Sequence, residues 1–337
     1  MTAPRVVALG GGHGLAASLS ALRRVTANVT AIVTVADDGG SSGRLRREFG
    51  MLPPGDLRMA LAALCGDDEW GTTWSRVVQH RFGGSGELAG HSAGNLLIAA
   101  LWDLLGDPVA GLDWVGRLLR VTGRVLPMTA VPLDIIAMVE GADPARPDDV
   151  TAVRGQAACA KTPGKVRSIS LQPADPPAVP EAVSAVRDAN WVVFGPGSWF
   201  TSVLPHLFVP ALAKALRTTA ARRLVALNLV AQAGETEGFS PHRHLEVLAE
   251  HAPGLTVDVV LADTRAARGC EDELEKAARL LGARLALAEV AAEDGVRHDP
   301  ERLAAAFREL FGGNPEIRRG VAPQGEQGRG VVTKGGR

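Results

Sequence analysis

The chain of 337 residues contains no tyrosine, and aromatic residues make up only 4% of it. Any ring that stacks on a ligand must therefore come from its few Phe and Trp side chains. Cysteine is nearly as scarce, since Cys65, Cys159 and Cys270 are far apart, odd in number and in no CxxC-type spacing. That pattern excludes a disulfide framework and the common zinc motifs, and it fits reduced thiols. An excess of one charge sign is also missing, because 36 basic side chains offset 37 acidic ones for a formal net charge of -1. No global field favours nucleic acid or an anionic membrane. No apolar stretch approaches the length of a bilayer span, and the run at 96–101 is soon followed by Asp103. The opening residues, MTAPRVVALGGG, hold too short an apolar run for a signal peptide and no cleavage pattern. A soluble, cytoplasmic protein is expected. GxSxG, a P-loop lysine and HExxH are all absent, which removes the ordinary serine hydrolase, NTPase and zincin readings.

What is present is core material, with 46% of the residues hydrophobic. Apolar, β-branched runs at 5–9, 29–35, 191–194, 224–229, 257–261 and 283–290 alternate with helix-like segments, the first marked by Leu15, Leu19 and Leu22. Short continuous apolar strands joined by helices indicate an α/β fold with a parallel sheet covered on both faces. Cap-plus-proline starts and glycine stops punctuate the helices. Asp56 is expected to cap one, Ser240-Pro241 opens another, and Asp299-Pro300 opens the last, which Gly312 closes. Residues 117–180 break this rhythm with strand-like, proline-bounded segments, so they are expected to form a small strand-rich insertion. Residues 1–312 then make a single domain, and 313–337, glycine-rich and basic, are expected to form a disordered tail.

The chemistry is concentrated in five loops, three directly after an apolar strand and two at helix starts. Gly10-Gly11-Gly12-His13-Gly14-Leu15 follows the first strand, and clustered glycines there let backbone N–H groups approach an anion. The dinucleotide fingerprint G-x-G-x-x-G is not met, because its third glycine falls on Leu15, and this disfavours a nicotinamide-dependent dehydrogenase. Asp37-Asp38-Gly39-Gly40-Ser41-Ser42 follows the second strand, where an acid is placed to hold a ribose or, as a pair, a hydrated magnesium ion. Asp56 and Arg58 open a helix, and Arg58 is equally suited to clamping a phosphate or forming a surface ion pair. His91, Ser92 and Asn95 cluster at another helix start. Gly195-Pro196-Gly197-Ser198, with Thr201 and Ser202 just beyond, forms a second glycine cradle after an apolar strand. Trp199 or Phe200 is available to stack on a base, although core packing is the commoner fate of an aromatic ring. His242 and His244 form an H-x-H with no third ligand nearby, which makes a metal site the minority reading.

Taken together, these loops resemble the YvcK family of gluconeogenesis factors in the CofD-like superfamily. The matching stretches are GGGHGL at 10–15, VADDGGSSGRLR at 35–46, LPPGDLR at 52–58, LAGHSAGN at 88–95, GRVLP at 123–127, GPGS at 195–198, QAGETEGF at 232–239 and VRHD at 296–299. They span about 300 residues in the family's order. The resemblance implies a Rossmann-like three-layer α/β/α fold and a nucleotide-sugar ligand such as UDP-N-acetylglucosamine. It also implies a regulatory link from gluconeogenic carbon metabolism to cell-wall synthesis and cell shape, through a cell-wall synthesis protein as partner. Related CofD enzymes transfer a phospholactyl group from a nucleotide diphosphate carrier to a deazaflavin with Mg, and that is the alternative activity. On the transferase reading Asp37 and Asp38 hold the magnesium; on the nucleotide-sugar reading Gly11, Gly12 and the 195–198 loop hold the diphosphate. Asp37 or Asp38 takes ribose or the metal, and Arg58 or Arg297 supplies positive charge. His13, Gly14, Asn95 and Asn228 join the expected ligand shell, and a homo-oligomer is compatible with it. Two positions depart from the family, where His13 replaces a usual threonine and Phe200 a common tyrosine.

Overall fold

The computed structural model describes residues 3–232 and 235–312. Ten strands form, namely β1 (Val6–Gly10), β2 (Val29–Val33), β3 (Arg124–Pro127), β4 (Asp134–Glu140), β5 (Val150–Arg154), β6 (Lys165–Gln172), β7 (Trp191–Phe194), β8 (Arg222–Ala226), β9 (Val259–Asp263) and β10 (Arg284–Ala288). Seven of them make one sheet in the order β10-β9-β8-β7-β1-β2-β3, and every pairing within it is parallel. Every residue of β1, β7 and β9 is buried. This explains their unbroken apolar sequences, because a parallel sheet with helices on both faces has no solvent side on which polar residues can alternate. The register is set tightly at the centre, where Gly10 of β1 lies opposite Val33 and Leu9 opposite Phe194.

Helix Gly12–Leu22 leaves the end of β1 almost at once. It packs against helix Gly55–Ala63 and against the last helix, Pro300–Gly312. Asp299 caps that last helix as expected, its Oδ1 accepting the N–H groups of Glu301 and Arg302 at 2.9 Å. Asp56 does not cap its own helix. The turn begins one residue earlier, at Gly55, and the carboxyl is drawn instead to the backbone N–H of Gly12 on a neighbouring loop.

The strand-rich insertion is narrower than the sequence suggested. Helix Pro108–Leu119 runs to its expected start, and Arg124–Pro127 joins the main sheet as the edge strand β3, with Val125 and Leu126 buried beside β2. The proline at 127 misleads here, because at the last residue of an edge strand its missing N–H costs nothing. The separate three-stranded sheet, β5-β4-β6, is antiparallel and lies within 134–172. Along β4 the side chains of Ile135, Ala137 and Val139 are buried while Met138 is exposed, the alternation of a sheet with one wet face. The expected tail at 313–337 lies outside the described residues.

Phe307 tests the packing of the last helix. Its ring is fully buried and stacks on Phe311 at 5.6 Å, which in turn meets Trp191 of β7 at 4.8 Å. Phe307→Ala is expected to cost about 3–5 kcal/mol through the cavity it leaves. The check is a lowered urea midpoint with the far-ultraviolet dichroism of the folded protein retained.

Candidate functional site

The strand order reverses at β1. The chain builds outward through β2 and β3, then returns to the other side of β1 with β7 and builds outward again. In an open parallel sheet such a reversal leaves a crevice beyond the carboxyl ends of the two central strands, because their following loops part in opposite directions. Both glycine loops read from the sequence lie at this point. A cleft of about 650 Å³ opens there, lined by Gly11, Gly12, His13, Gly14, Asp56, Pro196, Gly197, Ser198, Ser202, Asn228 and Arg297.

The two loops cross in close contact, and glycine is what permits it. A Cβ on Gly14 would fall 2.5 Å from the Cα of Gly197 and would collide with the Pro196 carbonyl. A Cβ on Gly11 would fall 2.6 Å from Cγ2 of Thr34. Ser18 anchors the crossing from the helix side by donating to the Gly195 carbonyl at 2.8 Å. Asn228, just past β8, grips the same loop with its amide: Oδ1 accepts the Gly197 N–H and Nδ2 donates to the Gly197 carbonyl, both at 2.8 Å. The Gly197 N–H is therefore spent on structure. Asp56 takes the Gly12 N–H, so the anion-seeking groups left in the cleft are the following first-turn N–H donors of helix Gly12–Leu22, those of His13 and Gly14.

The acidic residues separate by role. Asp37 and Asp56 approach one another: Asp37 Oδ2 lies 3.1 Å from where a Cβ on Gly55 would sit, and its charge acts directly on Asp56. Burial first, and the Asp37 carboxylate second, push the Asp56 carboxyl up to about 7, with the Gly12 N–H and Arg58 pulling the other way. Ser42 stands beside the same pair, its hydroxyl tight against Gly55. Asp38 turns away. Its Oδ1 accepts the backbone N–H of Ala157 at 2.8 Å, which pins the short helix Gln156–Cys159 of the insertion and holds Gln156 in the cleft wall. The geometry thus pairs Asp37 with Asp56, where adjacency in sequence had suggested Asp37 with Asp38.

Four further residues form a brace away from the cleft lining. Asn95 donates to Ser41 at 3.0 Å and accepts from the Arg58 Nε–H at 2.9 Å. The His91 ring nitrogen Nδ1 lies 3.0 Å from the Ser41 hydroxyl, and Arg58 also donates to Gln79. All four are buried. Burial, then the charge of Arg81, brings the Arg58 guanidinium down to about 10. Arg58 is accordingly neither a surface ion pair nor exposed in the cleft. It ties helix Gly55–Ala63 to helix Ala93–Leu105.

On the opposite wall, Ser198 and Thr201 turn toward Glu235, which the sequence reading quoted but did not assign. Its carboxylate accepts the Thr201 N–H at 2.8 Å and the Ser198 hydroxyl, and burial pushes its pKa up. Trp199 and Phe200 are core residues rather than stacking platforms, with Phe200 packed edge-on against Phe239 and His251. His242 meets the Ser240 hydroxyl at 2.9 Å, and among the described residues no group of three or more metal-ligating side chains forms. Arg297 lies at the mouth of the cleft, ion-paired to Asp294 at 2.7 Å. His298 beside it was missed by the sequence reading and lines the cleft, with burial lowering its pKa to about 4. The signal for both misses was their place in otherwise loop-like polar stretches, QAGETEGF and VRHD.

Asp56 makes the electrostatics measurable. Its folded-state value of about 7 lies above the ordinary carboxyl value of 3.8, so the folded protein keeps a proton that the unfolded chain releases. The associated stability is complete below the lower value and drains away as pH rises through the upper one. Asp56→Asn, which cannot ionise, is expected to match the unmodified protein in thermal midpoint at pH 4 and to exceed it at pH 8. Midpoints measured across that range without metal or ligand provide the check.

The family model described as 2-phospho-L-lactate transferase CofD matches residues 6–305. A Mycobacterium leprae protein, which carries the name gluconeogenesis factor provisionally, is 57% identical over 315 residues, covering 93% of this chain and 88% of its own length. The gluconeogenesis factor of Halalkalibacterium halodurans is 39% identical over 261 residues, covering 77% of this chain and 78% of its own. A crystal structure of a UPF0052 family member from Bacillus halodurans superimposes with a TM-score of 0.79 at 34% identity, covering 91% of this chain and 99% of that one. The parallel sheet, the two glycine loops and these relatives agree, and the chain belongs to the CofD family, on its branch of YvcK-type gluconeogenesis factors.

Proposed function

We infer that this protein is a nucleotide-sugar-binding regulator, with a ligand of the UDP-N-acetylglucosamine type, that links gluconeogenic carbon metabolism to cell-wall synthesis through a protein partner. The observation that carries the reading is the crossing of the 10–14 and 195–198 loops in one cleft at the sheet's switch point. A diphosphate placed there meets the first-turn N–H groups of His13 and Gly14 and the Ser202 hydroxyl, whereas Ser198 is already donating to Glu235. Arg297 at the mouth adds positive charge. The loop of Gly197 contributes shape and close backbone approach more than hydrogen-bond donors, since Asn228 holds its N–H. The gluconeogenesis-factor names of the relatives support the metabolic side of the reading.

A second reading, transfer of a phospholactyl group, is favoured by one specific arrangement. The Asp37 charge acts on the Asp56 carboxyl, and Asp37 and Ser42 both crowd Gly55, a set of oxygens that would suit a hydrated magnesium ion. Such an ion would be held by these two carboxylates and would stabilise charge on the phosphates. Bound metal would also lower the Asp56 pKa, because a nearby cation favours the ionised form.

Titration calorimetry separates the readings. Binding of UDP-N-acetylglucosamine without turnover is expected, with Gly197→Val abolishing the heat and Arg297→Ala weakening affinity about tenfold, or ~1.4 kcal/mol. Absence of binding, together with turnover of a nucleotide-activated phospholactate onto a deazaflavin acceptor, would establish the transferase instead.

A further inference from the structure

The N-terminal end of the sheet, remote from the cleft, carries an aromatic and cationic surface that the ligand-binding reading leaves without a role. Trp70, 37% exposed, and Trp114, 53% exposed, project from helices Glu69–Gln79 and Pro108–Leu119. The helices meet where the Trp70 indole N–H donates to the Leu118 carbonyl at 3.1 Å. Trp74 packs on Trp70 at 5.7 Å, and with the exposed Val77 these residues recur at helical spacing along one stripe. Leu118, also exposed, joins Trp114 on the second helix. A monomer gains nothing by presenting large apolar side chains together in this way, and such patches mark interaction sites.

The charge on this surface identifies what fits it. The Arg120 guanidinium lies 4.5 Å from the Trp70 ring and that of Arg117 5.0 Å from the Trp114 ring. The nearby carboxylate, Asp113, is taken up by a two-pronged pairing with Arg124 at 2.8 and 2.7 Å. Among the described residues, Arg117 and Arg120 have no carboxylate partner. Beside them lies a groove of about 360 Å³ floored by Leu61, Leu112 and Val125, with Arg117 and Arg120 on its rim. We propose that this groove, together with the indoles on which its rim arginines stack, docks an acidic, apolar-rich peptide segment of a partner protein. The peptide's carboxylates meet Arg117 and Arg120, and its apolar side chains meet the exposed parts of Trp70 and Trp114 beyond the rim. A second copy related by twofold symmetry is disfavoured, because the same guanidiniums would face each other. A lipid surface is disfavoured by the concavity, which a flat bilayer does not fill.

The test uses the full chain and a fluorescein-labelled twelve-residue peptide alternating aspartate with leucine and phenylalanine, beside a counterpart with lysine for aspartate. The acidic peptide is expected to raise anisotropy with salt-sensitive affinity, and the Arg117→Glu/Arg120→Glu protein to bind it at least about tenfold more weakly. Trp114→Ala is expected to weaken it without altering the urea midpoint. Equal binding of both peptides, or full retention by the double variant, overturns the proposal. So does binding to phosphatidylglycerol–phosphatidylcholine vesicles with no peptide binding, or a sedimenting dimer that Trp114→Ala dissolves.

Discussion

The organising constraint is steric, because two backbones must pass each other with no side chain between them. Gly14 lies against Pro196 and Gly197 closely enough that a single methyl group would force the loops apart. This crossing fixes how the end of β1 meets the end of β7 and gives the cleft its floor. It also sets where helix Gly12–Leu22 points its unpaired N–H groups. Asn228 and Ser18 reinforce the arrangement from either side, and each replaces a hydrogen bond that water would otherwise make with a loop carbonyl or N–H.

Around that crossing the polar residues sort into layers that differ in cost. The inner layer, Asp37 and Asp56, holds two like charges in a partly buried site, and the folded protein accommodates them by keeping a proton on Asp56. The outer layer, Ser41, His91, Asn95 and Arg58, is buried and largely satisfied, and it anchors helix Gly55–Ala63, which carries Asp56. A buried hydrogen-bonded network of this kind favours one arrangement of its elements, since a shift leaves polar atoms without partners.

Much of this was legible in the chain. Continuous apolar strands gave the parallel sheet, and glycines after β1 and β7 marked loops that the topology then brings to one place. What escaped was mostly a matter of direction. Asp38 follows Asp37 immediately, yet adjacent side chains here point to different sides, and one acts on Asp56 behind the cleft while the other staples the insertion. Arg58 is charged and near a helix start, yet its partner Asn95 lies 37 residues away, a pairing that no local pattern reveals. Pro127 concealed an edge strand because its tolerance there depends on having no neighbour on one side. His298 and Glu235 lacked any periodic context, and only the folded positions of their loops give them a role.

The crossing also divides the labour of recognition. Positions at its centre are locked to glycine, so only backbone is presented there. The rim is built from unrelated segments: His13 on the first helix, Gln156 on the insertion, Val230 after β8, and Arg297 near the last helix. Each of these is free to change without disturbing the floor. On the proposed reading, single exchanges at this periphery would change ligand preference without moving the crossing beneath.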